Sequence, residues 1–244
     1  MAGSAFSDVV VAVSQAGGLG SLACALLSAQ DARKELETVR RKTSRPINAN
    51  FFCHQPPQED HARKMNWRQR LDAYYVEMGA ETNTSIPSSA RAPFDETMCD
   101  LVMEFHPEVV SFHFGLPQKS LLLRVKRAGA KVLSSATSVD EARWLEEQGC
   151  DAIIAQGFEA GGHRGMFLTE DISTQVGTTA LVPQVVDAVK VPVIAAGGIA
   201  DARGIVAAFA LFGKKAATYR APRHVGDIVP ALKGHFCCNA VGRR

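Results

Sequence analysis

Short runs of apolar residues alternate along the chain with longer amphipathic segments. The apolar runs predict strands at residues 46–52, 109–114, 131–134, 152–155 and 191–195. The amphipathic segments predict helices at residues 67–78, 94–105, 121–128, 139–148 and 202–212. Polar stretches at 55–66 and 82–93 predict loops. Repeated β–α units of this size predict an α/β fold with a parallel sheet, either a (β/α)8 barrel or a doubly wound sheet.

The first apolar segment, residues 8–13, allows two interpretations. Its valines favour a strand, whereas Ser7 or Asp8 can cap a helix that two glycines at 17 and 18 would end. We favour the helix. The stretch Gly17-Gly-Leu-Gly20 does not fit a dinucleotide-binding fingerprint, because no strand is predicted before it and no acidic residue follows at the required distance.

A glycine-rich segment follows the predicted strand at 152–155. It reads Gln156-Gly-Phe-Glu-Ala-Gly-Gly-His163-Arg-Gly165. In parallel α/β folds, ligands bind at the carboxyl ends of strands, and glycines let backbone N–H groups approach a ligand closely. An imidazole can exchange protons or bind an anion near neutral pH. His163 is therefore the principal catalytic candidate.

Other strand ends carry weaker candidates. Gly197 and Gly198 precede a helix that Asp201 would cap, which predicts either a phosphate-binding turn or a tight turn that needs small residues. Asn50 could bind backbone at a strand end or face a ligand. His113 could be a core histidine satisfied by backbone or could project towards the same pocket as His163.

Composition narrows the class of protein. With 244 residues and 46% hydrophobic residues, the chain can form one large α/β domain. A net charge of +2 gives no reason to expect a nucleic-acid or membrane partner. The absence of a long apolar stretch and of a secretory signal predicts a cytoplasmic protein. Six cysteines without zinc spacing predict buried free thiols and no metal site.

Taken together, these motifs resemble the nitronate monooxygenase family, whose members are FMN enzymes on a TIM-barrel fold. The resemblance covers roughly residues 1–211 with the order of elements preserved. The matching stretches are Met1-Ala-Gly3, Ser14–Ser21, Asn48–Phe52, Ser111–Gly115, Gln156–Gly165, Ala180–Ala188 and Pro192–Ile199. The stretch from Glu159 to Gly165 is the most specific of these. The A-A-G-G-I stretch is less specific, because several phosphate-binding barrels share it.

The resemblance implies roles for individual residues. It implies that His163 lies beside the flavin and binds or deprotonates the substrate, and that His113 lines the substrate pocket. The cofactor-binding residues that it implies are Met1, Ala2, Gly3, Asn50, Gln156, Gly161, Gly162, Gly197 and Gly198.

The sequence departs from the family at both ends. The first barrel strand, which precedes Met-Ala-Gly in the family, is largely missing, and the later strand with a Gly-Thr phosphate-binding turn is replaced after Phe212 by a basic segment. We therefore expect an incomplete (β/α)8 TIM barrel at residues 1–212 and a divergent basic tail at residues 213–244.

The function implied is FMN-dependent oxidation of an alkyl nitronate with O2, giving a carbonyl compound and nitrite. The resemblance leaves open whether the protein forms a homodimer. Two alternatives remain at this point. One is a related FMN-dependent NAD(P)H reductase of the enoyl-acyl-carrier or quinone type. The other is an inactive remnant, because the missing elements close the barrel and hold the phosphate.

Overall fold

Residues 6–56, 60–80 and 92–211 are described by the computed structural model. They form a curled sheet of six parallel strands. The strands are Gly20–Ala23 (β1), Ile47–Phe52 (β2), Val109–His113 (β3), Lys131–Ala136 (β4), Ala152–Gln156 (β5) and Val193–Ala196 (β6). The helices are Ser7–Gln15 (α1), Ala29–Lys42 (α2), His61–Glu77 (α3), Glu96–Phe105 (α4), Lys119–Arg127 (α5), Val139–Glu147 (α6), Thr178–Ala188 (α7) and Ala202–Leu211 (α8). Short 3-10 turns lie at Cys24–Leu26 and Ile172–Thr174.

The order of strands in the sheet distinguishes between the two α/β architectures. Each strand pairs with the next in the chain, from β1 to β6, without a reversal. A doubly wound sheet requires a switch point at which the order reverses, whereas a (β/α) barrel adds strands in sequence. The described residues therefore form a singly wound, curled sheet of six parallel strands. The prediction of an α/β fold with a parallel sheet is confirmed.

The two faces of the sheet have different surroundings, because side chains alternate along each strand. One face packs under the helices and forms the main core, which includes Val110, Phe112 and Ile153. The opposite face holds a smaller apolar cluster, formed by Leu19, Val109, Leu133, Ala152, Ile154 and Ile194. This inner cluster lies towards the amino ends of the strands, and polar side chains follow it towards the carboxyl ends.

Several predicted elements need correction. The segment 55–66 was predicted as a loop, but α3 begins at His61, where the Asp60 side chain accepts a hydrogen bond from the Arg63 N–H and caps the helix. No element was predicted for β1, α2 or α7. The helix favoured at residues 8–13 is confirmed as α1. Within the described ranges, none of the helices has the length and apolar character needed to cross a bilayer.

Candidate functional site

A network of hydrogen bonds joins the polar side chains of the inner face. The Asn48 Nδ2 donates to the Ser21 and Ser111 hydroxyl oxygens, each at 2.8 Å. The Asn50 Nδ2 donates to the Ser111 Oγ at 2.9 Å. Asn50 is therefore held by a neighbouring strand while its side chain remains partly exposed. Its position is compatible both with a structural role at the strand end and with contact to a ligand.

His113 extends from the carboxyl end of β3 and contacts protein through both ring nitrogens. Its Nδ1 lies 2.7 Å from the Ser135 Oγ, and its Nε2 lies 3.3 Å from the carbonyl oxygen of His163. Burial lowers the pKa of His113, and the nearby His163 and Arg164 lower it further, although the bond to the His163 carbonyl opposes them. A neutral His113 can accept from Ser135 and donate to His163, so it holds the neighbouring loop in place.

The carbonyl oxygen of His163 has a second donor in Gln156. The Gln156 Nε2 donates to it at 2.9 Å, and the Gln156 Oε1 accepts from the Gly165 N–H at 2.7 Å. A single amide thus binds the backbone on both sides of Arg164. The family resemblance implies that Gln156 contacts the flavin. In the structure, its side-chain amide fixes the backbone of the histidine loop.

Arg164 does not extend freely into solvent. Its guanidinium donates to the carbonyl oxygens of Gly157 and Phe158, at 2.8 Å and 2.9 Å. It also lies over the Phe158 ring, with 5.6 Å between the guanidinium carbon and the ring centroid. Through these contacts Arg164 stabilises the loop, and its guanidinium does not project from the rim to attract an anion.

The imidazole of His163 is exposed and lies against aromatic rings. Its centroid is 5.1 Å from that of Phe52 and 6.0 Å from that of Phe114. Phe52 also stacks on His113, with centroids 5.9 Å apart. The ring centroid of His54 lies 6.2 Å from that of Phe114. These five rings form one wall above the carboxyl ends of β2 and β3.

The glycines of the loop have contrasting surroundings. A Cβ on Gly161 or Gly162 would have no atom of the described structure within 4 Å, and Gly161 has no positive φ that would require glycine. No contact or backbone angle in the described structure therefore requires glycine at 161. The missing side chain would let a flat ligand approach the backbone closely. This observation supports a cofactor in front of the loop.

Gly197 and Gly198 are explained by contacts within the protein. A Cβ on Gly197 would lie 2.6 Å from the Thr178 Oγ1 and 2.9 Å from the Ala160 N, and both glycines have positive φ angles. The tight-turn interpretation is thus sufficient for this pair. The turn also brings Gly197 against Ala160, next to Gly161.

Two carboxylates occupy the helix amino ends at this turn. The Glu159 Oε2 accepts from the Thr178 N–H and hydroxyl at 2.7 Å and 2.8 Å. Burial raises the pKa of Glu159, but these bonds outweigh it and the pKa lies below its ordinary value. Asp201 accepts from the Arg203 and Gly204 N–H groups at the start of α8. The sequence suggested that these N–H groups could bind a phosphate, but in the structure they already donate to Asp201.

Some predicted site residues lie outside the described structure. These are Met1, Ala2 and Gly3, as well as the basic segment 213–244. Among the described residues, the structure brings His163, Gln156 and His113 together.

Two contributors were missed. Ser135 contacts His113, which lies 22 residues away in the chain. Glu141 accepts a hydrogen bond from the backbone of Phe167, which lies 26 residues away. Glu141 had a local signal, the capping box with Ser138, but that signal predicts a helix start and not a long-range contact.

Comparisons with known proteins identify relatives of the whole described region. The model of the family described as "Nitronate monooxygenase" matches residues 1–218. Nitronate monooxygenase from Paraburkholderia phytofirmans is 42% identical over 213 residues, which is 86% of this chain and 58% of that protein. Nitronate monooxygenase from Pseudomonas aeruginosa is 41% identical over 86% of this chain and 60% of its own length.

Solved structures show the same relationship. Nitroalkane oxidase from Streptomyces ansochromogenes is 36% identical, with a TM-score of 0.77 over 86% of this chain and 60% of that chain. FabK from Thermotoga maritima is 31% identical, with a TM-score of 0.62 over 86% of this chain and 53% of that chain. This chain thus spans about 60% of the length of the relatives that it matches.

Proposed function

The chain belongs to the nitronate monooxygenase family, and on that premise we propose that it oxidises alkyl nitronates with FMN and O2. The products would be a carbonyl compound and nitrite. The observation that carries this proposal is the loop in which Gly161, open to a ligand, lies two residues before an exposed and backbone-anchored His163.

The residues present are suited to hold FMN. Gly161 and Gly162 leave room for a ring system to approach the loop, and the partly exposed Asn50 offers an anchored amide on the same face of the sheet. When bound, FMN would supply the electron transfer that neither His163 nor its neighbours can perform.

The protein's own contribution is orientation and charge. A nitronate is an anion, and the His163 imidazole would donate a hydrogen bond to it. If the neutral nitroalkane binds instead, the same imidazole would take the proton from its α carbon and so form the nitronate. The rings of Phe52 and Phe114 would exclude water from the apolar part of the substrate. The carbonyl bonds from Gln156 and His113 keep the His163 backbone fixed while the imidazole acts.

The proposal is tested by titrating the purified protein with FMN and then following nitronate-dependent oxygen uptake and nitrite release. His163→Ala should bind FMN with an affinity within about threefold of the native protein but lower kcat by about 100-fold. Gln69→Ala, at an exposed position of α3, is the control and should leave both unchanged. A native protein that binds no FMN would contradict the proposal and favour the inactive alternative.

A second candidate is an FMN-dependent NAD(P)H reductase. The likeness to FabK at 31% identity partly supports it. Anaerobic mixing separates the two candidates. Loss of flavin absorbance with NADH, in the absence of a nitronate, would favour the reductase.

We also propose a reducing compartment such as the cytoplasm. The four cysteines within the described ranges, Cys24, Cys53, Cys99 and Cys150, are free and buried. Burial raises the pKa of Cys24 and of Cys150 to about 12, which keeps these thiols protonated and inert. Such thiols are typical of a protein that folds without disulfides.

A further inference from the structure

Glu141 places a carboxylate in the interior at the start of α6. Only 1% of the residue is exposed. Its Oε2 accepts from the Thr137 N–H at 2.6 Å and from the Thr137 hydroxyl at 2.8 Å. A buried carboxylate is costly unless its oxygens are hydrogen-bonded, and here this oxygen receives two donors.

The other oxygen of Glu141 serves a distant segment. Its Oε1 accepts from the Phe167 N–H at 2.7 Å and from the Leu168 N–H at 3.2 Å. A capping box explains contacts with the turn that precedes α6, but it does not explain bonds to backbone 26 residues further along. Half of the bonding capacity of this carboxylate is therefore used on the segment that follows β5.

That segment continues directly from the histidine loop. Gly165, two residues before Phe167, is held by Gln156, and a Cβ on Gly165 would lie 2.9 Å from the Ser135 Cβ and 3.1 Å from the His113 ring. The Phe167 ring packs on Trp144 of α6, with centroids 5.2 Å apart. Glu141 and Trp144 thus attach the end of the loop to α6, and Gln156 attaches its middle to β5.

We propose that Glu141 is a positioning residue for His163, and this catalytic role rests on the proposed function. The carboxylate fixes the backbone at 167 and 168, so that the segment 163–168 is held at both ends and the imidazole keeps one orientation above the strand ends. Charge-assisted bonds to backbone N–H groups suit this task, because they are short and directional.

The first test is amide hydrogen exchange on the protein without added ligand. Glu141→Gln keeps the size of the side chain but presents an NH2 group to backbone donors, so exchange in residues 163–168 should rise at least about tenfold. Glu147→Gln, exposed on the same helix, is the matched control and should not change it. Unchanged exchange at 163–168 in Glu141→Gln, or an equal rise throughout β2, β3 and β4, would overturn the proposal.

The second test asks whether Glu141 acts through His163. Glu141→Gln should lower kcat for nitronate oxidation about tenfold in the native background and less than about twofold in the His163→Ala background. Equal losses in both backgrounds would mean that Glu141 acts independently of His163, which would overturn the proposal. If the native protein does not oxidise nitronates, the proposed function fails, and the exchange experiment still decides whether Glu141 holds the loop.

Discussion

Gly157 and Gly161 belong to the same loop, but their surroundings differ, and only at Gly157 do the described residues require glycine. A Cβ on Gly157 would lie 2.1 Å from the Thr178 Oγ1 and 2.4 Å from the Thr178 N, whereas Gly161 faces open space. Backbone atoms cannot move aside cheaply, so the first position is restricted by packing. The described residues place no such restriction on the second position.

Alanine at each position should reveal this difference. Gly157→Ala should lower the melting temperature by at least about 3 °C, because overpacking typically costs about 1–3 kcal/mol. Gly161→Ala should leave it within about 1 °C but weaken FMN binding about tenfold. Melting curves and fluorescence titrations measure the two effects. A Gly161→Ala protein with native FMN affinity would show that no cofactor approaches this residue.

His113 should make the protein sensitive to acid. The unfolded chain protonates this imidazole near the ordinary pKa of 6.5, whereas the pKa in the folded protein is lower. Between these two values the unfolded state binds more protons, so stability is full above about pH 6.5 and falls as the pH decreases below it.

His113→Asn should reduce that sensitivity. Between about pH 7.5 and about pH 5.5 its melting temperature should decrease less than that of the native protein. An equal decrease in His113→Asn and native protein would show that protonation of His113 does not oppose folding.

At the scale of elements, α3 differs from the other helices. None of its residues is buried, and Trp67 within it is 61% exposed. Trp144, on α6, instead packs against Phe167. Since a helix without buried contacts gains little from tertiary packing, α3 contributes little to the stability of the domain.

The two tryptophans of the chain provide a direct comparison. Trp67→Ala should change the free energy of unfolding by less than about 0.5 kcal/mol. Trp144→Ala should reduce it by about 2–4 kcal/mol, because it removes a packed ring next to the histidine loop. Denaturant unfolding measures both. A loss above about 1 kcal/mol for Trp67→Ala would show that α3 packs more tightly than its exposure indicates.

The elements that sequence analysis predicted are those with a strong local signal. Strands β2 to β5 are apolar runs, and α6 begins at a capping box that the structure shows, with the Ser138 Oγ accepting from the Glu141 N–H. The four-residue β1 contains Gly20 and Ser21, so only its pairing with β2 identifies it as a strand. Helix α2 had a usable pattern in Ala32, Leu36 and Val39 after the cap at Ser28, but its many charges concealed it.

The residues of the site can also be divided into those with a local sequence signal and those without one. His163 and Gln156 lie in one continuous motif, and both were predicted from it. The contacts of His113 with Ser135 and of Glu141 with Phe167 join separate β–α units. No local pattern encodes such contacts, because they depend on the register of neighbouring strands and on how the loops fold back over them.

At the scale of the whole molecule, the two ends of the sheet differ in the contacts that their polar side chains make. At the amino ends, Glu108 accepts from the Ile47 N–H, Asp151 accepts from the Val132 N–H, and Glu146 accepts from the N–H groups of 190 and 191. These carboxylates satisfy backbone groups at or just before the starts of β2, β4 and β6. The carboxyl ends carry the histidine loop, which agrees with the division between stability and function in barrel folds.

Substitution at the amino end should therefore lower stability without changing the site. Glu146→Ala should cost about 1–2 kcal/mol and lower the melting temperature by roughly 2–8 °C, while FMN affinity stays within about twofold. Glu147→Ala, at the exposed neighbouring position, should change neither. A large loss of FMN affinity in Glu146→Ala would show that the two ends are coupled.

The sequential strand order also has a consequence for biosynthesis. Because each strand pairs with the one before it in the chain, every newly made strand leaves the ribosome beside the edge that it will join. None of the six described strands has to wait for a partner encoded much later, so this sheet can extend one unit at a time from β1. Synthesis order and assembly order are then the same, and an interrupted chain would keep every pairing that it had already formed.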